Sequence, residues 1–248
     1  MSESVSVCIP AWQAQAWIGE AIESALAQSQ PPAEIIVADD GSTDATAATA
    51  AGYGPPVHVE RLPHRGLGAA RNACARLAHG ELIAFLDADD RLTPRGLEAR
   101  LLLVRADPEL ELVFGAERLF RETRSGKPVP LEEARAAQAP ASMLVRRASL
   151  KRVGRFREDM RFAADLDWLL RARELGLREA TVGEQVLWRR VHEANLSRTD
   201  EPEMAREFAR ALKESLDRRR AAPPDRPRAL TSGRAAAPSF SDATEAEI

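Results

Sequence analysis

The sequence predicts an α/β fold: a mostly parallel central sheet flanked by helices, continued by a second half of α+β character. Three observations carry this expectation. Short β-branched runs alternate with helix-spaced segments over the first 107 residues. Carboxylates cluster directly after two of those runs, where an open parallel sheet binds its ligands. Beyond Pro108 the alternation weakens, and Gly126, Pro128, Pro130 and Pro140 interrupt the chain.

Val5, Val7 and Ile9 alternate with Ser6 and Cys8 up to Pro10, which reads as a strand. Ile18, Ile22 and Leu26 then recur at helical spacing until the break at Pro31 and Pro32. Residues 34–38 form a second strand, Gly41 a turn, and Asp44 an N-cap for an alanine-rich helix ending near Gly52. Residues 57–62 are a third strand, 67–77 a helix, and 82–86 a fourth strand between Gly80 and Asp87. Thr93 and Pro94 supply an N-cap and a first-turn proline for a helix reaching Arg105. In the second half, 110–120 is a strand or hairpin arm and 121–141 a loop-rich stretch with one short helix. A strand follows over 143–145, an amphipathic helix over 165–175, a strand over 181–188 and a charged helix over 202–218. From about residue 221 the composition turns to Pro, Ala, Ser, Thr and Arg, and a disordered tail is expected over 221–248.

Composition removes several classes of function. The 35 basic and 38 acidic residues are interleaved and leave a net charge of −3, which lacks the electrostatic footprint of a nucleic-acid binder. No apolar run approaches the ~18 residues of a transmembrane helix. Ser2, Glu3 and Ser4 do not open a secretory signal, so a cytoplasmic protein is expected. Peripheral membrane attachment stays open, with the Arg218, Arg219, Arg220 run as the basic cluster that offers it and a solvated helix end as the alternative. Cys8 and Cys74 lie far apart in apolar contexts and read as reduced core residues.

The first strand ends at Pro10, Ala11 and Trp12, the second at Asp39, Asp40 and Gly41, the fourth at Asp87, Ala88, Asp89 and Asp90. Carboxylates gathered in one crevice repel unless a cation neutralises them, and a hard divalent ion such as Mg²⁺ or Mn²⁺ does so through oxygen ligands shared with phosphates. A plain acidic turn is the alternative reading of 87–90.

Residues 5–12, 35–46, 66–72 and 85–94 together resemble the family 2 glycosyltransferases, and the resemblance extends over about residues 4–198. It implies the GT-A fold and inverting sugar transfer from a nucleotide-diphosphate sugar, a UDP-sugar favoured. The acceptor stays open among glycan, lipid-linked sugar, peptide and small metabolite. Residues 1–220 then form one domain, with 1–107 as its nucleotide-binding half and 108–220 as its acceptor side.

The resemblance also distributes roles. Asp39 contacts the nucleotide base, with Pro10, Ala11 and the Asp40 and Gly41 backbone lining the pocket. Trp12 stands where the family often has tyrosine or phenylalanine, as a stacking wall or a core residue. Arg71, in a segment similar to GxxxARN, faces the nucleotide or its diphosphate. Asp87 lies near the ribose and Asp89 binds the divalent cation, Mn²⁺ or Mg²⁺. Residues 162–171 are similar to the ED-x-D-L-W-L-R segment, which makes Asp165 the catalytic base and Asp167 the alternative; a helix N-cap is the other reading of Asp165. Residues 190–198 resemble RxHxxNxS, with His192 as a metal ligand or phosphate contact. Two departures stand out: Ala164 replaces the usual glutamate, and His64 an asparagine.

Other classes fit less well. Arg71 occupies the last glycine of a dinucleotide-binding fingerprint, and residues 5–19 lack the glycine-rich basic loop of a sugar nucleotidyltransferase. A non-catalytic nucleotide-sugar or partner-binding protein remains the rival reading, encouraged by Ala164.

Overall fold

The computed structural model describes residues 3–123, 127–193, 195 and 200–221, so the predicted tail beyond Ala221 lies outside the described residues. Strands β1 (Val5–Ala11), β2 (Glu34–Asp39), β3 (Val57–Arg61) and β4 (Leu82–Phe85) alternate with helices α1 (Ile18–Leu26), α2 (Thr46–Ala51) and α3 (Leu67–Leu77). These four strands pair in parallel in the order β3-β2-β1-β4, with Ala11 opposite Asp39 and Asp39 opposite Arg61. Their carboxyl ends therefore open on one edge, as the sequence predicts.

After β4 come a short β5 (Arg91–Leu92), α4 (Gly96–Ala106) and the long β6 (Leu112–Glu122). The interrupted stretch that follows forms β7 (Pro128–Pro130), β8 (Arg135–Ala136) and a 3₁₀ turn at Pro140–Ser142. Then come β9 (Leu144–Arg146), α5 (Arg147–Val153), α6 (Ala164–Glu174), β10 (Glu179–Arg190) and α7 (Glu201–Ala221). The sheet continues β4-β9-β6-β10-β5, with β9 antiparallel to both neighbours, β10 parallel to β6 and β5 antiparallel to β10. A parallel half thus meets a mixed half beside β4.

Period-two alternation explains why both faces are buried. Val7, Ile9, Ile35 and Val37 pack with Ile18 and Ile22 of α1 and Leu97 and Leu101 of α4. Cys8, Ile36 and Phe85 point the other way, onto Cys74 of α3, Leu150 of α5 and Trp168 of α6. Cys8 and Cys74 are buried free thiols, as expected.

Local expectations are refined in three places. Thr93 does not cap α4: its hydroxyl donates to the Gln185 carbonyl at 2.7 Å, a tertiary acceptor that outcompetes the helix end. Asp44 stands one residue before the formal N-cap yet accepts from the Thr46 N–H at 3.0 Å, so it still closes the start of α2. Helix α7 is longer than its charged core suggests and docks on α6, where Ser215 and Arg218 bind Glu174.

Candidate active site

The nucleotide-side crevice is built by loops after β1 and β2 that are tied together. The Asp40 N–H donates to the Ala11 carbonyl at 2.8 Å, and the Gln13 N–H to the Ser42 hydroxyl at 2.9 Å. Gly41 holds a left-handed φ of +73°, and a Cβ there would stand 2.8 Å from the His64 nitrogen, so this turn accepts only glycine. Asp39 is fully buried; one carboxylate oxygen accepts from the Ser42 N–H at 3.3 Å, while Oδ2 has no hydrogen-bond donor and lies 3.4 Å from Arg61 Nε. Pro10 and Ala11 are buried beside it at the end of β1.

Trp12 is 54% exposed and its ring stacks on His64 at 4.8 Å, so it is not a core residue. The departure to histidine at position 64 has its physical account here, since His64 Nδ1 also sits 2.7 Å from Asp40 Oδ2. Asp40 in turn accepts the N–H groups of Arg65 and Gly66 at 2.9 and 2.8 Å, fixing the approach to α3. Gly68, next on α3, faces the Arg157 carbonyl where a Cβ would stand 2.3 Å away. Gly68 therefore serves close packing of α3, whereas Gly66 supplies a left-handed φ of +92° at the helix start.

Arg71 is 1% exposed, and its guanidinium bridges Asp87, at 2.9 Å, and Asp165. Phe156 backs it at 5.8 Å from the ring centre. Burial works against the charge, yet the two carboxylates hold Arg71 above its ordinary value. Burial likewise pushes the Asp165 carboxyl up, opposed by Arg71 and reinforced by Asp87. Asp165 lies in the first turn of α6, not at its N-cap, and keeps 30% of its side chain exposed. Asp167 is turned away: it is buried and bound by Arg171 at 2.8 Å, with Arg218 at 3.6 Å, which removes it as an alternative base. Trp168 and Leu169 are core residues.

At the end of β4, Asp89 Oδ2 lies 2.9 Å from His192 Nε2 and accepts from Asn195 at 3.2 Å. The two residues expected to hold a cation are thus brought together from positions 103 residues apart. Among the described residues no group of three or more His, Cys, Asp or Glu surrounds a common point, so a cation held here takes its remaining ligands elsewhere. Asp90 is buried, accepts from the Arg190 N–H at 2.8 Å, and is pushed well above the usual carboxylate range by burial and by Asp89 and Asp87. Within 190–198, residues 194 and 196–198, Ser197 among them, lie outside the described residues.

Several contributors were not singled out from sequence. Arg190 is buried over Phe120, donates to the Asp89 carbonyl at 2.8 Å, and pairs with Glu20 and Glu122, so it clamps the 87–90 turn from behind. Trp17 stacks on His192 at 4.1 Å. Glu207 of α7 accepts the N–H groups of Arg161, Phe162 and Ala163 at 2.9, 2.7 and 3.1 Å, anchoring the entry to α6. Arg190 and Asn195 share their motif with His192 and were within reach of it; Trp17 and Glu207 carry no sequence signal of their own.

The sequence model of the family described as glycosyl transferase family 2 matches residues 6–149, more than half of the chain. The chain belongs to this family. Its matched span includes every nucleotide-side residue named above and stops short of Asp165 and His192. Over 117 residues the chain is 36% identical to chondroitin synthase of Escherichia coli, and over 107 residues 41% identical to the succinoglycan biosynthesis protein ExoO of Rhizobium meliloti (strain 1021). These segments are 46% and 42% of this chain but only 17% and 30% of those proteins. In three dimensions it is similar to S. aureus TarS 1-349 in complex with UDP-GlcNAc. The TM-score is 0.74 at 22% identity, covering 91% of this chain and 68% of that one. The fold is GT-A, and the family match covers β1 to β9 and ends before α6 and β10. No helix among the described residues is long and apolar enough to cross a membrane.

Proposed function

We propose that this glycosyltransferase moves a sugar from a UDP-sugar to an acceptor hydroxyl with inversion at the anomeric carbon. The observation that carries the reading is the Arg71 bridge, because one buried cation joins Asp87 of the nucleotide half to Asp165 of the acceptor half. The TarS complex with UDP-GlcNAc supports the uridine donor, and the polysaccharide names of the relatives favour a saccharide hydroxyl.

Asp39 Oδ2, buried without a hydrogen-bond donor, is the acceptor a base N–H would satisfy. Trp12 and His64 wall the base, and Asp87 takes a ribose hydroxyl. Asp89 and His192 would hold Mn²⁺ or Mg²⁺, and the mixed carboxylate and imidazole set favours Mn²⁺. Bound there, the cation would neutralise the charge that builds on the departing nucleotide. Asp165 accepts the acceptor's proton as its oxygen bonds to the anomeric carbon, and the bond from that carbon to the diphosphate breaks on the opposite face. Arg71 opposes the rise that burial imposes on the Asp165 carboxyl and fixes its direction.

Asp165→Asn tests this. Transfer should fall by about 10²–10⁴ while UDP with Mn²⁺ still raises the melting temperature. Loss of nucleotide binding together with transfer would refute the base assignment.

A further inference from the structure

A cleft of about 590 Å³ opens between the 62–65 segment, α3, α5 and the 154–158 segment. It contains none of the residues assigned to donor, cation or base. Its floor is apolar, made by Leu62, Ala69, Ala73, Leu150 and Phe156. Its walls carry five cations, Arg65, Arg76, Arg147, Lys151 and Arg155, against the single carboxylate of Glu158. This excess of positive charge is gathered in a protein whose net charge is −3.

Three of the five cations have no carboxylate within 3.5 Å among the described residues. Glu158 pairs with Arg65 and Arg155 at 2.5 and 2.6 Å. Arg76 has Glu60 only at 3.8 Å, Arg147 donates through Nε to the Gly80 carbonyl, and Lys151 has no partner among the described residues. The side chains of Arg65, Arg76 and Arg155 are 63%, 62% and 75% exposed. By contrast Arg218, first of the basic run at the end of α7, is bound by Glu174. The five cations come from four segments, so no basic run in the sequence announces them.

A cationic rim alone suits any anion and an apolar floor alone suits any hydrophobe; the two together select a ligand with both characters. We propose that this cleft binds a lipid phosphate at a membrane surface, its alkyl portion against Leu150 and Phe156 and its phosphate held by Arg76, Arg147 and Lys151. Such an anchor presents α3 and α5 to the bilayer. Phe156 also backs Arg71, so the occupant touches the side chain behind the bridge to Asp165. The proposal rests on cleft chemistry and stands apart from the choice of donor.

The test is calorimetry of the full chain with monomeric octyl phosphate, beside inorganic phosphate and octyl glucoside. Saturable binding of octyl phosphate is expected, about tenfold or more tighter than either comparator. Arg76→Glu with Lys151→Glu should weaken it about tenfold or more, and Ala69→Trp, which fills the floor, should reduce it to the inorganic phosphate level. Arg219→Glu with Arg220→Glu should change nothing. Thermal melting checks that each variant folds, and pelleting with phosphatidylcholine vesicles should require added phosphatidic acid. Equal binding of inorganic phosphate, equal binding of octyl glucoside, no saturable binding, or indifference to the cleft substitutions each overturns the proposal.

Discussion

Replacing Arg71 with methionine keeps the volume of the stem and removes the charge that Asp87 and Asp165 share. Removing one partner of a fully buried ion pair costs about 3–5 kcal/mol. Here the carboxylates keep 34% and 30% of their surface, so water screens part of their repulsion and the lower end, about 3 kcal/mol, applies. For a domain of this size that lowers the melting temperature by roughly 6–12 °C at neutral pH. The deficit shrinks as pH falls, because protonated carboxyls no longer miss the cation. The second effect is catalytic. Burial already raises the Asp165 carboxyl and Arg71 opposes that rise, so its loss lets the group climb further. A base works as the carboxylate, and its activity falls as pH drops through its titration. In Arg71→Met that fall begins at higher pH. The assay is kcat against pH for wild type, Arg71→Met and Arg71→Lys, the lysine recovering only part because its single ammonium cannot bridge both carboxylates. An unmoved acid limb with a raised donor KM would refute the bridge as the device that tunes Asp165 and would place Arg71 on the diphosphate.

Three further substitutions separate the parts of the site. Asp39→Asn should abolish the thermal stabilisation by UDP while leaving the melting temperature of the free protein nearly unchanged; retained UDP stabilisation would remove Asp39 from base recognition. Arg190→Met loosens the support behind Asp89 and should weaken Mn²⁺-dependent nucleotide binding by about 10–100-fold, read as the Mn²⁺ half-point in a thermal-shift titration, and an unchanged half-point would count against it. Glu207→Ala strips three backbone N–H groups of their acceptor and should cost about 2–3 kcal/mol in urea denaturation, with kcat reduced at unchanged donor KM. Glu207→Gln, which keeps an acceptor oxygen, should recover part of both.

The first half of the fold was legible because its signals are local. Alternating apolar residues in β1, helical spacing in α1 and the punctuation by Gly41, Gly80, Pro31 and Pro32 each act within a few residues. Where a distant partner decides, local reading fails. Thr93 carries the chemistry of an N-cap, yet the Gln185 carbonyl, 92 residues away, takes its hydroxyl. The insertion of β9 between β4 and β6 has the same character: three residues of strand say nothing about which neighbours they join or in which direction.

The site divides along the same line. Asp39, Asp87 and Asp89 could be placed at one crevice because a parallel sheet turns the ends of its strands toward one edge, so position in the chain converts into position in space. Asp165 and His192 needed a family resemblance, since nothing in their own surroundings distinguishes them from Asp167 or from a structural histidine. What remained hidden is the support. Ala164 removes a carboxylate from the start of α6, and Met160, Ala163 and Ala211 pack around that position. The same turn then gains a carboxylate from α7, where Glu207 accepts three backbone donors. In sequence Glu207 is one acid among many in a charged helix, indistinguishable from a solvated residue. Its meaning comes only from docking, which Ala211, Ser215 and Arg218 direct. Helix α7 therefore supports the turn that carries the proposed base Asp165, and the absence of the usual glutamate at position 164 does not by itself argue for an inactive protein.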